Sequence, residues 1–180
     1  MRIRGILAPN PGPLTLDGTH TWLIGDSTVV DPGPDISSHI DAIAAAMPRL
    51  TTILITHRHA DHAPAAIPLA AKTGAAIAAP DGVFDSVPTR RLAGDETIET
   101  DEGALRVIAT PGHTNEHVCF LSNERDLFTD DTILGRGSPA LSLKHHSLTL
   151  PAMSSVPHGP SPGRRPTASR SLPSTLLRRS

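Results

Sequence analysis

The stretch from Thr51 to His62 reads TTILITHRHADH, and it decides the interpretation of the chain. Its first half is a short β-branched and apolar run, typical of a buried strand. Three histidines and an aspartate then follow within six positions: His57, His59, Asp61 and His62. A lone histidine is usually a surface or core residue, but packing hardly explains this density at the end of a strand. The stretch therefore predicts a metal site at the exit of a buried strand.

The spacing within the motif indicates two metal ions rather than one. Imidazoles at positions i and i+2 of an extended backbone project to the same side, so His57 and His59 can share one cation. Asp61 and His62 come after the chain turns, and they can face a second cation beside the first. Nitrogen and carboxylate ligands suit Zn²⁺, but they also admit Mn²⁺ or Fe²⁺.

Two later residues offer ligands of the right type. His113 follows a predicted strand in the segment Thr110-Pro111-Gly112-His113-Thr114, and Asp131 follows the strand that ends near Thr129. A carboxylate can bridge two cations, which a neutral imidazole cannot do. Taken singly, a histidine after Pro-Gly or an aspartate at a strand end is usually a turn residue.

The hydrophobic pattern predicts a compact α/β arrangement around these motifs. Helices are expected over residues 36–47 and 65–72, the second ending at Gly74. Strands are expected over residues 21–24, 27–30, 51–55, 75–79, 105–108, 118–121 and 126–129, with a further short strand near Ile98.

Charge and composition divide the chain into two parts. Residues 1–131 carry 9 basic and 18 acidic side chains, a balance of −9, whereas residues 132–180 carry 7 basic and no acidic ones. From about Gly135 onward there are seven prolines, ten serines and no aromatic residue. Such a segment cannot bury enough apolar surface to offset its ordering entropy. We therefore predict a domain over residues 1–137 and a disordered Pro/Ser/Arg-rich tail over 138–180, a basic arm for nucleic acid being the less favoured reading.

Bulk properties set the expected compartment. The single cysteine, Cys119, excludes an internal disulfide and a thiolate zinc site. No apolar run approaches the roughly 18 residues that a membrane span needs. The first residues lack the apolar core of a secretory signal. The expectation is a cytoplasmic protein with no membrane partner, and the oligomeric state stays open.

The order of these motifs resembles the metallo-β-lactamase superfamily: His-x-His-x-Asp-His, then a histidine in Thr-Pro-Gly-His-Thr, then an aspartate after a strand. Here 51 residues separate His62 from His113, and 18 more lead to Asp131. Residues 10–23, NPGPLTLDGTHTWL, are similar to the branch that contains β-lactamase-like protein 2, an endoribonuclease, and many bacterial hydrolases. The resemblance covers residues 1 to about 137.

The resemblance implies an αββα sandwich with two metal ions, zinc being the first expectation, at one edge. It implies that His57, His59 and His113 hold the first metal, that Asp61 and His62 hold the second, and that Asp131 bridges them. Asp61 would also orient the attacking water and accept its proton, so the chain is expected to be a hydrolase.

The sequence also departs from the family pattern. Asp130 stands where the family has a glycine, which adds a charge near the cations and strains a tight backbone. Asp31 matches a common family aspartate, although a turn residue before Pro32-Gly33 is the favoured reading. Relatives place a last ligand of the second metal in Pro-Gly-His-Gly-Pro, and His158 in Val-Pro-His-Gly-Pro is the tentative match. The change of composition after about residue 138 is expected to reflect a truncation or a reading-frame change.

Three functions remain open at this point. A hydrolase acting on a small-molecule ester or thioester is the leading one. An endoribonuclease acting on single-stranded RNA predicts a basic surface, and the acidic balance of residues 1–131 argues against it unless the basic tail contributes. The rival from another class is a non-catalytic, poorly folding remnant of such a hydrolase.

Overall fold

The structure, a computed structural model, describes residues 1–122, 126–132 and 176–178. Two β-sheets and two α-helices make up most of these residues. The first sheet contains β1 (Ile3–Leu7), β2 (His20–Ile24), β3 (Thr28–Val30), β4 (Thr52–Leu54), β5 (Ala76–Pro80) and β6 (Thr89–Leu92). The second contains β7 (Thr97–Thr100), β8 (Gly103–Ala109), β9 (Val118–Ser122), β10 (Asp126–Phe128) and β11 (Leu176–Arg178). The helices are α1 (Ser37–Ala46) and α2 (Ala66–Thr73), and a 3₁₀ turn covers Asp130–Thr132.

The strand order brings several strand ends to one edge. In the first sheet the strands follow chain order; β1, β2 and β3 are antiparallel, and β3 to β6 are parallel. The second sheet is antiparallel throughout, in the order β11-β10-β9-β8-β7. Because parallel strands end on the same side, the segments that follow β3 and β4 lie next to each other.

Side-chain alternation along the first sheet builds a core on each of its faces. Successive residues of a strand point to opposite faces. Leu23, Val29, Ile53 and Ile77 pack in one apolar cluster with residues of both helices. Their neighbours Trp22, Ile24, Val30 and Leu54 pack in another with Leu105, Val107, Phe120 and Phe128 of the second sheet. The described residues thus form three layers: helices, first sheet, second sheet.

Both helices agree with the predicted periodicity to within one residue at each end. Ile40 and Ile43, three positions apart, are buried on the sheet side of α1. Helix α2 ends at Thr73 and is capped by Gly74, whose φ of +78° lies in the left-handed region that favours glycine. The Gly74 N–H donates to the Ala70 carbonyl 2.8 Å away, which closes the last turn.

The structure differs from the sequence prediction at the sheet edges. Strands β1 and β6 were not predicted, and β6 carries two exposed arginines, Arg90 and Arg91, that hide its strand pattern. Of the predicted αββα sandwich, the described residues include no helix on the outer face of the second sheet. The predicted boundary near residue 137 lies outside them; of the predicted tail they include only β11. Neither described helix is long and apolar enough to cross a bilayer.

Candidate metal centre

Strand ends from both sheets meet at one edge of the sandwich. Asp31 follows β3, and Thr56 and His57 follow β4 in the first sheet. His113 follows β8 in the second sheet, and the turn Asp130–Thr132 follows β10. The Val118 N–H at the start of β9 donates to the Thr56 carbonyl at 3.0 Å, which joins the two sheets there.

Four of the predicted ligands form what we call the first cluster: His57, His59, His113 and Asp131. One ligand atom from each lies within 4.8 Å of all the others. The Asp131 Oδ2 atom is 3.8 Å from His57 Nε2, 4.0 Å from His59 Nδ1 and 3.1 Å from His113 Nε2. His57 is completely buried, whereas the His59 side chain is 41% exposed, so the cluster opens to solvent on that side.

The second cluster consists of His62 and three carboxylates around it: Asp31, Asp61 and Asp130. His62 Nε2 lies 3.1 Å from Asp61 Oδ2 and 3.7 Å from Asp131 Oδ2. On the other side of the ring, His62 Nδ1 lies 2.6 Å from Asp130 Oδ2 and 3.7 Å from Asp31 Oδ2. Asp131 therefore touches both clusters.

The donor set fits metal ions. Two ligand atoms held at about 2.1 Å by one tetrahedral ion lie about 3.4 Å apart, close to the spacings around Asp131 Oδ2. Within the described residues, His57 Nε2 and His62 Nε2 are buried without a hydrogen-bond partner. A buried polar atom in that state costs free energy unless it binds something. A cation between the rings and Asp131 would meet that requirement.

In the first cluster, lowered pKa values keep the imidazoles of His57 and His59 neutral. Burial, aided by the charge of His62, lowers the pKa of His57 to about 2. Burial also lowers the pKa of the His59 imidazole, with His113 adding to the shift. Both rings are therefore neutral at physiological pH, which is the form that binds a metal.

The second cluster has the opposite character. Burial lowers the pKa of His62, but the facing carboxylates, Asp130 foremost, hold it well above the ordinary value. Burial and the neighbouring Asp31 carboxylate raise the pKa of Asp130. The carboxylates outnumber the imidazole, so this half of the site attracts positive charge.

The structure brings six of the sequence-predicted ligands to this one edge: His57, His59, Asp61, His62, His113 and Asp131. Their role as metal ligands remains a prediction. His158, the tentative seventh, lies outside the described residues.

Sequence reasoning undervalued Asp31. It has the positive φ of a turn residue, +46°, but its side chain is buried and not merely part of a turn. Its two carboxylate oxygens accept hydrogen bonds from the Thr56 N–H at 2.8 Å and the Thr56 hydroxyl at 2.7 Å. The signal in the sequence was an aspartate directly after a buried strand.

His117 was missed altogether. It is buried directly before β9, and its ring centroid lies 5.0 Å from that of His57. Its Nδ1 atom is 2.9 Å from the Thr110 hydroxyl, and burial lowers its pKa to about 4. The available signal was a second histidine four positions after His113.

Comparison with known proteins agrees with this architecture. The family model of the metallo-beta-lactamase superfamily matches residues 14–172. The chain is 38% identical over 130 residues to a hydroxyacylglutathione hydrolase of Acidiphilium cryptum, covering 69% of this chain and 53% of that protein. It is 32% identical to a beta-lactamase-like protein 2 homolog of Caenorhabditis elegans, covering 80% and 54% of the two chains. It is 31% identical to an atrochrysone carboxyl ACP thioesterase of Aspergillus novofumigatus, covering 88% and 51%.

A solved structure shares the fold. A beta-lactamase domain protein from Burkholderia ambifaria superposes with a TM-score of 0.66 at 21% identity, over 78% of this chain and 57% of that one. The likeness confirms the predicted fold class. The chain spans about half the length of the curated relatives it matches. With the family model matching most of its residues and the strand-end histidines in place, the chain belongs to the metallo-β-lactamase superfamily.

Proposed function

We propose that this protein is a metal-dependent hydrolase that uses a binuclear site to hydrolyse small-molecule thioesters. One observation carries the proposal: a single oxygen, Asp131 Oδ2, lies within 4.0 Å of a ring nitrogen of four histidines. Such convergence on one carboxylate suits a ligand that two cations would share.

Each cluster would hold one ion, with Asp131 shared between them. His57, His59 and His113 would bind the first ion, and Asp61 and His62 the second. Zinc suits this mixture of nitrogen and oxygen donors best, with Mn²⁺ or Fe²⁺ as alternatives. When bound, the ions would supply Lewis acidity toward a carbonyl oxygen and lower the pKa of a water molecule.

Asp61 is the residue that we assign to proton transfer. Its side chain is 30% exposed, so it reaches solvent at the mouth of the site. The Thr19 hydroxyl donates to Asp61 Oδ2 at 3.1 Å, and the Asn10 side chain holds Thr19 in turn. Burial raises the pKa of Asp61, but the adjacent, positively charged His62 ring lowers that pKa overall. The hydrogen bond from Thr19 lowers it further. The carboxylate is thus ionised and oriented, as a group that positions a water and accepts its proton must be.

The reaction then follows a simple balance of atoms. The water oxygen forms a bond to the thioester carbonyl carbon while its proton passes to Asp61. The carbon–sulfur bond breaks, the thiolate leaves and takes up a proton, and the carboxylic acid is the second product. No oxidant or further reactant is needed.

Two observations favour a thioester over RNA. Relatives at 31% and 38% identity bear the names of a thioesterase and a hydroxyacylglutathione hydrolase. Residues 1–131 have a charge balance of 9 − 18 = −9, which repels a polyanionic strand.

The test combines metal analysis with a substrate panel. The purified chain is loaded with zinc, analysed for bound metal, and assayed on an acylglutathione, an acyl-pantetheine and a single-stranded RNA, with and without chelator. We expect close to two metals per chain and chelator-sensitive release of thiol. If the chain cleaves RNA and neither thioester, the thioester assignment is wrong and RNA is the substrate. Less than one bound metal per chain, together with no turnover, would contradict the proposal of a hydrolase and favour the non-catalytic remnant.

A further inference from the structure

Asp130 occupies an unusual position behind the histidines. Its side chain is 4% exposed, and Oδ2 lies 2.6 Å from Nδ1 of His62 and 3.6 Å from Nδ1 of His57. These are the ring nitrogens that point away from Asp131, since each ring turns its Nε2 toward that residue. One carboxylate oxygen thus backs a ring from each of the two proposed metal sites.

Counting protons around Thr56 fixes the form of His57. The Thr56 hydroxyl oxygen lies 2.7 Å from Asp31 Oδ2, 3.0 Å from Asp130 Oδ2 and 2.9 Å from His57 Nδ1. A hydroxyl has one proton to donate, and the pair of acidic side chains, of which Asp31 is ionised, attracts it more strongly than a neutral imidazole does. None is left for His57, so its Nδ1 must carry a hydrogen and donate it to the hydroxyl oxygen.

The same argument applies more directly to His62. Two bare lone pairs cannot face each other at 2.6 Å, so a hydrogen lies between His62 Nδ1 and Asp130 Oδ2, and it belongs to Nδ1 once Nε2 binds a cation. A ring with its hydrogen fixed on Nδ1 can keep the Nε2 lone pair for a metal. Carboxylates that hold a ligating histidine in this way raise its basicity and fix its orientation.

We propose that Asp130 is a positioning residue that fixes the tautomer of His57, through Thr56, and of His62, by direct contact. In this way it preorganises both metal sites at once. The inference rests on the proposed function only in that it takes Nε2 of both rings to be the metal-binding atom.

The backbone of Asp130 offers a clean way to test it. Its φ of +43° lies in the left-handed region, where glycine is at ease and other residues are strained. Asp130→Gly therefore removes the carboxylate and introduces a residue that adopts this backbone conformation without strain. Asp95→Gly is the matched control: Asp95 has a φ of +60°, its side chain is 92% exposed, and it pairs with Arg106 at the surface.

The first measurement is zinc affinity, by competition with a chromophoric chelator. We expect Asp130→Gly to bind zinc 10- to 100-fold more weakly, the range seen when a group behind a ligand is lost. Asp95→Gly should equal the parent chain. Asp130→Asn keeps one acceptor oxygen and should recover part of the loss. Unchanged affinity in Asp130→Gly would overturn the inference.

The second measurement is ¹⁵N-detected NMR of the imidazole nitrogens, which identifies the hydrogen on Nδ1. In the zinc-loaded parent chain we expect protected Nδ1–H signals from His57 and His62, both exchanging faster in Asp130→Gly. If the parent chain binds no zinc, the proposed function fails. The positioning role of Asp130 can still be tested, because the tautomer of His57 can be compared between the metal-free parent chain and Asp130→Gly. An identical tautomer and exchange rate in both chains would refute positioning.

Discussion

The two clusters of the metal centre share Asp131 but differ in chemistry. In the first, three imidazoles surround one carboxylate oxygen, and the pKa values of His57 and His59 are lowered. In the second, a single imidazole, His62, lies within 3.7 Å of four carboxylates: Asp31, Asp61, Asp130 and Asp131. One half is rich in neutral nitrogen and the other in negatively charged oxygen.

This difference teaches how one short motif can serve two ions. Imidazole nitrogen suits zinc and its transition-metal neighbours, whereas carboxylate oxygen also accommodates harder ions such as Mn²⁺. We therefore expect the first cluster to select zinc more strongly than the second does. Substitutions at the shared and the separate ligands can distinguish the two halves.

The largest effect should come from the atom that the clusters share. Asp131→Asn keeps the shape of the side chain but removes the charge that can bridge two cations. We expect both metals to be lost and activity to fall at least 1000-fold, a loss of about 4 kcal/mol in transition-state stabilisation. Elemental analysis and thiol release measure the two effects. The control is Asp81→Asn, an exposed aspartate paired with Arg91, and equal metal content in both variants would contradict a bridging role.

A smaller effect should divide the halves. His113→Ala removes a ligand of the first cluster only, and His62→Ala removes the imidazole of the second. Each variant should retain about one metal per chain and lose at least 100-fold in activity, about 2.7 kcal/mol. Competition between Zn²⁺ and Mn²⁺ should show that the metal kept by His62→Ala is the more zinc-selective one. Loss of both metals in each variant would mean that the clusters bind as one unit.

Metal removal should lower stability by a comparable amount. A ligand at 100 times its dissociation constant stabilises the folded state by about 2.7 kcal/mol, and each kcal/mol raises the Tm of a chain of this size by about 2–4 °C. We expect a chelator to lower the Tm of the zinc-loaded chain by about 5–11 °C. Calorimetry of Asp131→Asn should show no such change, and an equal shift there would point to metal bound elsewhere.

The smallest effect concerns orientation rather than binding. Thr19→Val removes the hydroxyl that donates to Asp61 Oδ2 and keeps the shape of the side chain. One hydrogen bond of about 1 kcal/mol corresponds to roughly a fivefold loss in kcat. Metal content should stay at the parent value. A loss of metal in this variant would show that Thr19 supports binding, not proton transfer.

The inner part of the fold was predictable because its signals are local. The buried strand before His57 and the helix that is capped by Gly74 follow from patterns within a dozen residues. The edge strands β1 and β6 escaped because an edge strand has one free side and tolerates charge, as Arg90 and Arg91 show. Their assignment depends on a partner strand far away in the sequence.

The candidate site divides along the same line. The motif from His57 to His62 is recognisable from the sequence alone. His113 and Asp131 can be predicted as ligands because each follows a predicted strand. The sequence favours a turn at Asp31 and a strained backbone at Asp130, and both residues do have positive φ. Whether their carboxylates turn inward depends on Thr56, which follows β4 elsewhere in the chain and with which both share a hydrogen bond. No local pattern contains that information.

The hydrogen bond between Val118 and Thr56, which joins the sheets at the site, has a consequence for how the chain folds. His113 lies 113 − 57 = 56 residues beyond His57, and Asp131 lies 131 − 57 = 74 beyond it. Closing loops of that length costs entropy before any contact offsets it, so the two sheets should meet late. The ligands of the first cluster exist as a set only after that step.

Metal capture then marks the end of folding rather than its beginning. Trp22, the only tryptophan, lies in the core between the two sheets, so its fluorescence follows their docking. During refolding with zinc and a zinc-sensitive dye, we expect the dye signal to change with or after the Trp22 phase. An earlier change would mean that the motif around His57 recruits metal as a nucleus, and the ion would then guide the chain instead of completing it.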